Sequence, residues 1–134
     1  MYPTTDREWV AIIGSRDFPR LELVASFIRT LPRTTVIITG SWWRTFKMEP
    51  TRGVDFAAST TADSLGMITI LVAGSGKDGH LAGKKRNPEI IRKSDRVVAF
   101  WDGRSPGTQG GIELAEQFKR PCRIIDPNTL FSQL

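Results

Sequence analysis

The stretch from Arg96 to Arg120, RVVAFW-DGRSPGTQGG-IELAEQFKR, decides how the whole chain is read. It opens as an apolar run, RVVAFW (96–101), that does not alternate with polar residues. Such a run reads as a strand covered on both faces, as in a parallel sheet. The glycine-rich DGRSPGTQGG (102–111) follows, and IELAEQFKR then has the spacing of a helix. Glycine inside a helix costs roughly 0.5–1 kcal/mol relative to alanine. Gly110 and Gly111, just past the expected helix start, therefore need a reason of their own. Two are open: close approach of a ligand, or tight packing of the helix on its neighbour.

Working outward, the same pattern recurs along the chain. WVAII (9–13), VII (36–38), MITILVA (67–73) and a shorter CRII (122–125) read as further buried strands. Between them lie helical segments. LELVASFIRTL (21–31) puts Leu21, Val24, Phe27, Ile28 and Leu31 on one face, and DFAASTTADSLG (55–66) is Ala-rich and stops at Gly66. PEIIRKS (88–94) is short, and GIELAEQFKR (111–120) completes the set. Strand and helix alternate throughout, which predicts an α/β fold: one doubly wound, mostly parallel five-stranded sheet with helices on both faces. Right-handed crossovers favour the strand order 3-2-1-4-5. SWWRTFKMEPTR (41–52) interrupts this rhythm as an insertion after the second strand.

A chain of 134 residues, 40% hydrophobic and 25% charged, suits one compact domain spanning 1–134. MYPTTDREW has no basic region followed by an apolar core, and MITILVA is far short of the ~20 residues that cross a bilayer. A single cysteine, Cys122, excludes an internal disulfide. The expectation is a cytoplasmic protein without a membrane partner. Cys122 has no nearby base and reads as a buried structural thiol. His80, the only histidine, stands without cysteines or clustered carboxylates, so neither a metal site nor a cofactor is called for. The formal net charge of +5, with a basic focus in GKKRNPEIIRK (83–93), suits a phosphate-bearing partner or a solvated face.

In open α/β sheets ligands bind beyond the carboxyl ends of the strands, where strand order reverses. The segments expected at those ends are GSRDF (14–18), Thr39 and Gly40 with RGVD (52–55), AGSGKDGHLAGKKRN (73–87) and DGRSPGTQGG. Each joins glycine to a hydroxyl or basic residue. Helix N-terminal amides bind anions, and glycine lets a phosphate reach the main chain. On this reading Gly107 and Thr108 head the fourth helix as phosphate donors.

Taken together, GSRDF, GVD, GHLAGKKRN and SPGT resemble the YpsA-like branch of the SLOG superfamily. That superfamily also holds the "lonely guy" phosphoribohydrolases and the DNA-processing protein DprA. The resemblance runs from about Val10 to Ile125 and is sharpest over AGKKRNPEIIRKSDRVVAFWDGRSPGT (82–108). It implies a Rossmann-like domain that binds a nucleotide or nucleotide-derived ligand, such as a nucleoside monophosphate or an ADP-ribose-like molecule. The residues it points to are Gly14, Ser15, Arg16, Gly40, Gly53, Asp55, Gly83, Asn87, Gly107 and Thr108. In the phosphoribohydrolases an Arg on the third helix and a Glu three residues past Gly-Thr act on an N-glycosidic bond. Arg86 matches that Arg, but the Glu position holds Gly111. Glu113 is the nearest carboxylate, rotated by roughly 200° on a helix; Asp17, Asp55 and Asp102 are other acids at strand ends. Asp95 reads as a helix-end or turn residue at the opposite edge.

The resemblance also implies a homodimer. Two alternatives differ in class: a single-stranded nucleic-acid-binding module of DprA type, and a catalytically inactive regulatory subunit. The insertion, with Trp42, Trp43 and Phe46 interleaved with Arg44 and Lys47, reads either as a base-stacking lid or as apolar cover for the sheet end or a subunit contact. Asp55 either accepts a ribose hydroxyl or caps its helix.

Overall fold

A computed structural model describes residues 7–40, 43–44, 49–50, 53–73 and 82–134, with the backbone alone at 43–44, 49–50 and 82–85. Strands β1 (Trp9–Gly14), β2 (Val36–Gly40), β5 (Ile68–Val72), β6 (Arg96–Phe100) and β7 (Cys122–Ile125) form one all-parallel sheet. Its order is β5-β2-β1-β6-β7, which is 3-2-1-4-5 counted by main-sheet strand. Within the insertion, β3 (Trp43–Arg44) and β4 (Glu49–Pro50) pair antiparallel. Trp42, Phe46 and Lys47 lie outside the described residues, as does His80 in 74–81.

Side chains alternate across each strand, and the sheet uses both sides. Val10, Ile12, Val98 and Phe100 face helices α1 (Leu21–Thr30) and α2 (Val54–Ser64), meeting Leu23, Val24, Phe27, Ile28, Val54 and Ala58. Ala11, Ile13, Ile38, Val97 and Ala99 face α3 (Ala82–Lys93) and α4 (Pro106–Gln117), meeting Ile90, Ile91 and Ala115. That double cover is why the central strands read as unbroken apolar runs. It thins at the margins. Ile68 and Leu71 on β5 and Ile124 on β7 are exposed. Cys122, expected to be buried, is exposed, because it opens an edge strand whose first three residues all face solvent.

One helix start differs from expectation, and one helix stop agrees with it. The third helix begins at Ala82, not at the proline, and carries Pro88 inside it. Proline is commonest at a first helical position, so the sequence suggests a start there; here the ring sits mid-helix, where it lacks the N–H of one internal bond and crowds the preceding turn. Helix α2 ends at Ser64 and Gly66 follows with φ +72°, the left-handed stop expected of that glycine. The chain closes in a 3-10 turn, Phe131–Gln133.

Candidate functional site

Beyond the carboxyl ends of β1, β2 and β6 lies a cleft of about 520 Å³, within the range of small-ligand sites. It sits at the switch point, where the chain leaves β1 for β2 on one side and β6 lies on the other. Gly14, Ser15, Arg16 and Asp17 line it from the loop after β1, and Gly40 and Asp55 from β2 and α2. Arg86, Asn87 and Ile90 on α3 and Ser105 to Thr108 at the head of α4 close it.

The glycines here are dictated by close approach. A Cβ on Gly14 would stand 2.5 Å from Val54 Cγ2 and 2.8 Å from the Phe100 carbonyl oxygen, so the end of β1 is pinned between α2 and β6. At Gly53, φ is +152° and a Cβ would lie 2.6 Å from Arg16 Cα. That backbone region is essentially glycine's alone, and it lets the start of α2 rest on the β1–α1 loop, where Val54 N–H donates to Ser15 O at 3.3 Å. Gly40 makes room for an ion pair. Its absent Cβ would meet Arg86 Cζ at 2.5 Å and Asp55 Oδ2 at 2.7 Å.

Arg86 Nη2 donates to Asp55 Oδ2 at 3.2 Å, with side chains only 25% and 17% exposed. Asp55 Oδ1 lies 3.0 Å from Thr39 Oγ1, which is also 2.7 Å from Ile12 O. Burial pushes the Asp55 carboxyl up to about 6, against the opposing pulls of Arg86 and the Thr39 hydroxyl. The folded protein thus holds this proton more tightly than the unfolded chain does. Its contribution to stability is fully present below the unfolded value near 3.8 and is lost as pH rises through about 6. Comparing wild type with Asp55→Asn by urea unfolding should show the variant gaining on the wild type by up to about 3 kcal/mol between pH 4 and 7. A gap independent of pH would contradict the burial of this carboxyl.

At α4 the chain is set by Asp102, whose Oδ1 accepts the N–H groups of Arg104 and Ser105, both at 2.9 Å. These bonds hold the carboxyl below its ordinary range and fix it in the turn. Trp101 Nε1 donates to Ser105 O at 3.1 Å and steadies the same turn. The helix's first internal donor is Gln109 N–H, to Ser105 O at 3.1 Å, so the amides of Gly107 and Thr108 stand ahead of it. Ser15 Oγ is buried in the facing loop without a hydrogen-bond partner. Asn87 Nδ2 reaches Gly107 O at 3.5 Å and links α3 to α4.

Of the two glycines that open the question of α4, only one is required by a close contact. A Cβ on Gly110, as on Gly107, would meet nothing within 4 Å. On Gly111 it would stand 2.6 Å from Ile13 Cδ1, so this glycine lets the helix pack on β1. Glu113 is exposed and does not line the cleft. Gly53 lies behind the lining and Gly83 in the first turn of α3; neither is among the lining residues. Asp95 is at the far end of the sheet, where its Oδ2 accepts Trp9 N–H at 2.7 Å. Sequence reading passed over Ile13, Ile90, Ser105 and Pro106 as lining residues and named Asp17 only as an acid at a strand end; the SPGT stretch already carried a signal for Ser105 and Pro106, while the two isoleucines read only as core.

Among the described residues the cleft carries Arg16 and Arg86 against Asp17 and Asp55, so its formal charges balance. No group of three His, Cys, Asp or Glu among them could hold a metal, and no described helix is long and apolar enough to cross a membrane.

No family model and no curated protein matches the chain. Among solved structures it is similar to DNA processing protein A from Helicobacter pylori, in a structure concerned with that protein's single-stranded DNA binding mode. The TM-score is 0.56 at 20% identity, covering 87% of this chain and 64% of that one. The chain shares the fold of DNA processing protein A. At that identity the likeness to DNA processing protein A concerns fold, and this chain spans under two thirds of the matched length.

Proposed function

We propose that the cleft binds the phosphate and sugar of a nucleotide or nucleotide-derived ligand. The observation that carries the reading is the convergence of four chain segments on one volume. Arg86 on α3, the free amides heading α4 and Ser15, whose buried hydroxyl has no partner among the described residues, all border it. A guanidinium and a helix N-terminus are complementary to phosphate in charge and in hydrogen bonding. The resemblance of SPGT and KKRN to SLOG sequences points the same way. The function proposed is binding, because Gly111 packs against Ile13 and Glu113 is not among the residues lining the cleft.

A second reading is favoured by one specific observation, the fold shared with DNA processing protein A. On it, the nucleotide unit held in the cleft belongs to a single strand, and the formal net charge of +5 serves the flanking phosphates. Calorimetric titration with AMP, ADP-ribose and an oligothymidylate, repeated from 50 to 300 mM salt, separates the two. A free nucleotide bound with a shallow salt slope supports the first reading. Strand binding whose affinity falls steeply with salt supports the second, because each neutralised phosphate of a single strand adds about 0.7 to the slope. Failure of all three ligands to bind would refute both.

A further inference from the structure

Asp55 is held in an arrangement that ionisation leaves incomplete. Thr39 Oγ1 has one proton and two acceptors in reach, Ile12 O at 2.7 Å and Asp55 Oδ1 at 3.0 Å. Both contacts are hydrogen bonds at once when Thr39 donates to Ile12 O and Asp55 itself donates to Thr39. On its other side Asp55 meets Arg86, in the space that Gly40 leaves. The remaining charged groups bordering the cleft from the β1–α1 loop are Arg16 and Asp17; β2 faces Asp55 with Thr39 and Gly40, and α4 contributes only uncharged residues. A ligand phosphate brought to Arg86 places a second anion beside a largely buried carboxylate, in a cleft whose formal charges cancel among the described residues.

We propose that anion binding in this cleft is proton-linked, with Asp55 taking up one proton from solvent as Arg86 engages the ligand. The inference rests on the reading of the cleft as a phosphate site and adds to it the group that tunes affinity. Protonation removes the carboxylate's repulsion of the phosphate and completes the chain Asp55–Thr39–Ile12 O. It also changes the described lining from balanced to net positive. The elevated position of the Asp55 titration, about 6 before any ligand is present, places this uptake within reach of neutral pH.

Calorimetry with ADP-ribose and with a short oligothymidylate tests it, because neither loses or gains phosphate charge between pH 5.5 and 8.5. The wild type is expected to tighten as pH falls, by up to about tenfold per unit at its steepest. In buffers of different ionisation enthalpy the same titration should register uptake of up to one proton per ligand. Asp55→Asn can point its amide oxygen at Arg86 and its amide group at Thr39, imitating the protonated acid. The variant should bind at pH 8 about as tightly as the wild type does at pH 6, with no pH slope. Wild-type binding that is independent of pH and buffer overturns the proposal, as does an Asp55→Asn protein that keeps the wild-type slope. Absence of binding by either probe at every pH instead removes the phosphate reading itself. The buffer series needs no variant, so it decides even where Asp55→Asn folds poorly.

Discussion

Arg86→Ala is expected to weaken nucleotide binding by about 10- to 100-fold, the range set by losing hydrogen bonds to a charged group worth roughly 1.5–3 kcal/mol. Arg86 is the described cation deepest in the cleft, three-quarters buried and ion-paired to Asp55. Arg86→Lys keeps the charge but not the planar fork, so it should recover only part of the affinity. The alanine variant also leaves Asp55 without that nearby cation. Burial is then opposed by less, and the carboxyl's range rises further above its present value near 6. Chemical unfolding should accordingly show Arg86→Ala losing more stability than the wild type as pH rises from 5 to 8. Unchanged affinity in the alanine variant would remove Arg86 from the site.

Phe100→Ala is the substitution expected to cost most in stability, about 3–5 kcal/mol. Phe100 is fully buried on β6 and packs edge-on against two rings, Phe18 at 5.7 Å and Phe27 at 6.1 Å between centroids. Those rings tie the β1–α1 loop and α1 to the sheet. Domains of this size are stable by roughly 5–15 kcal/mol, so the loss is a large fraction of the total. A thermal midpoint lower by about 10–20 °C is the expected readout. Phe100→Leu should cost far less, about 1.5 kcal/mol, because most of the volume is kept. A near-neutral alanine variant would mean that this aromatic cluster is not the centre of the core.

Much of the fold was legible because each level of the chain agrees with the next. Unbroken Val- and Ile-rich runs such as RVVAF mark central strands, and their alternation with helices leaves few topologies. The pattern could not separate central from edge strands: CRII reads with the apolar runs despite its arginine, yet Cys122, Arg123 and Ile124 face solvent, β7 being an edge strand of the described sheet. Pro88 misled for a local reason, since its preference for helix starts is statistical and the residues before it continue the turn. At the cleft, the loops at strand ends were readable from their glycines. What those glycines touch was not. The pairing of Arg86 with Asp55 joins residues 31 apart in sequence, and only the folded sheet brings Gly40 beneath them. Position 111 was open between ligand access and packing; Ile13, far away in the chain, settles it for packing.

The contact between Ile13 and Gly111 carries an evolutionary consequence. Installing a carboxylate at 111 in this background would drive it into an isoleucine methyl, while trimming Ile13 alone would hollow the β1–α4 seam. Ile13 Cδ1 is the far end of a flexible side chain, so the isoleucine can turn away at modest cost. Substitutions at these two neighbouring positions are therefore expected to couple rather than add, and the residue tolerated at 111 depends on the one at 13.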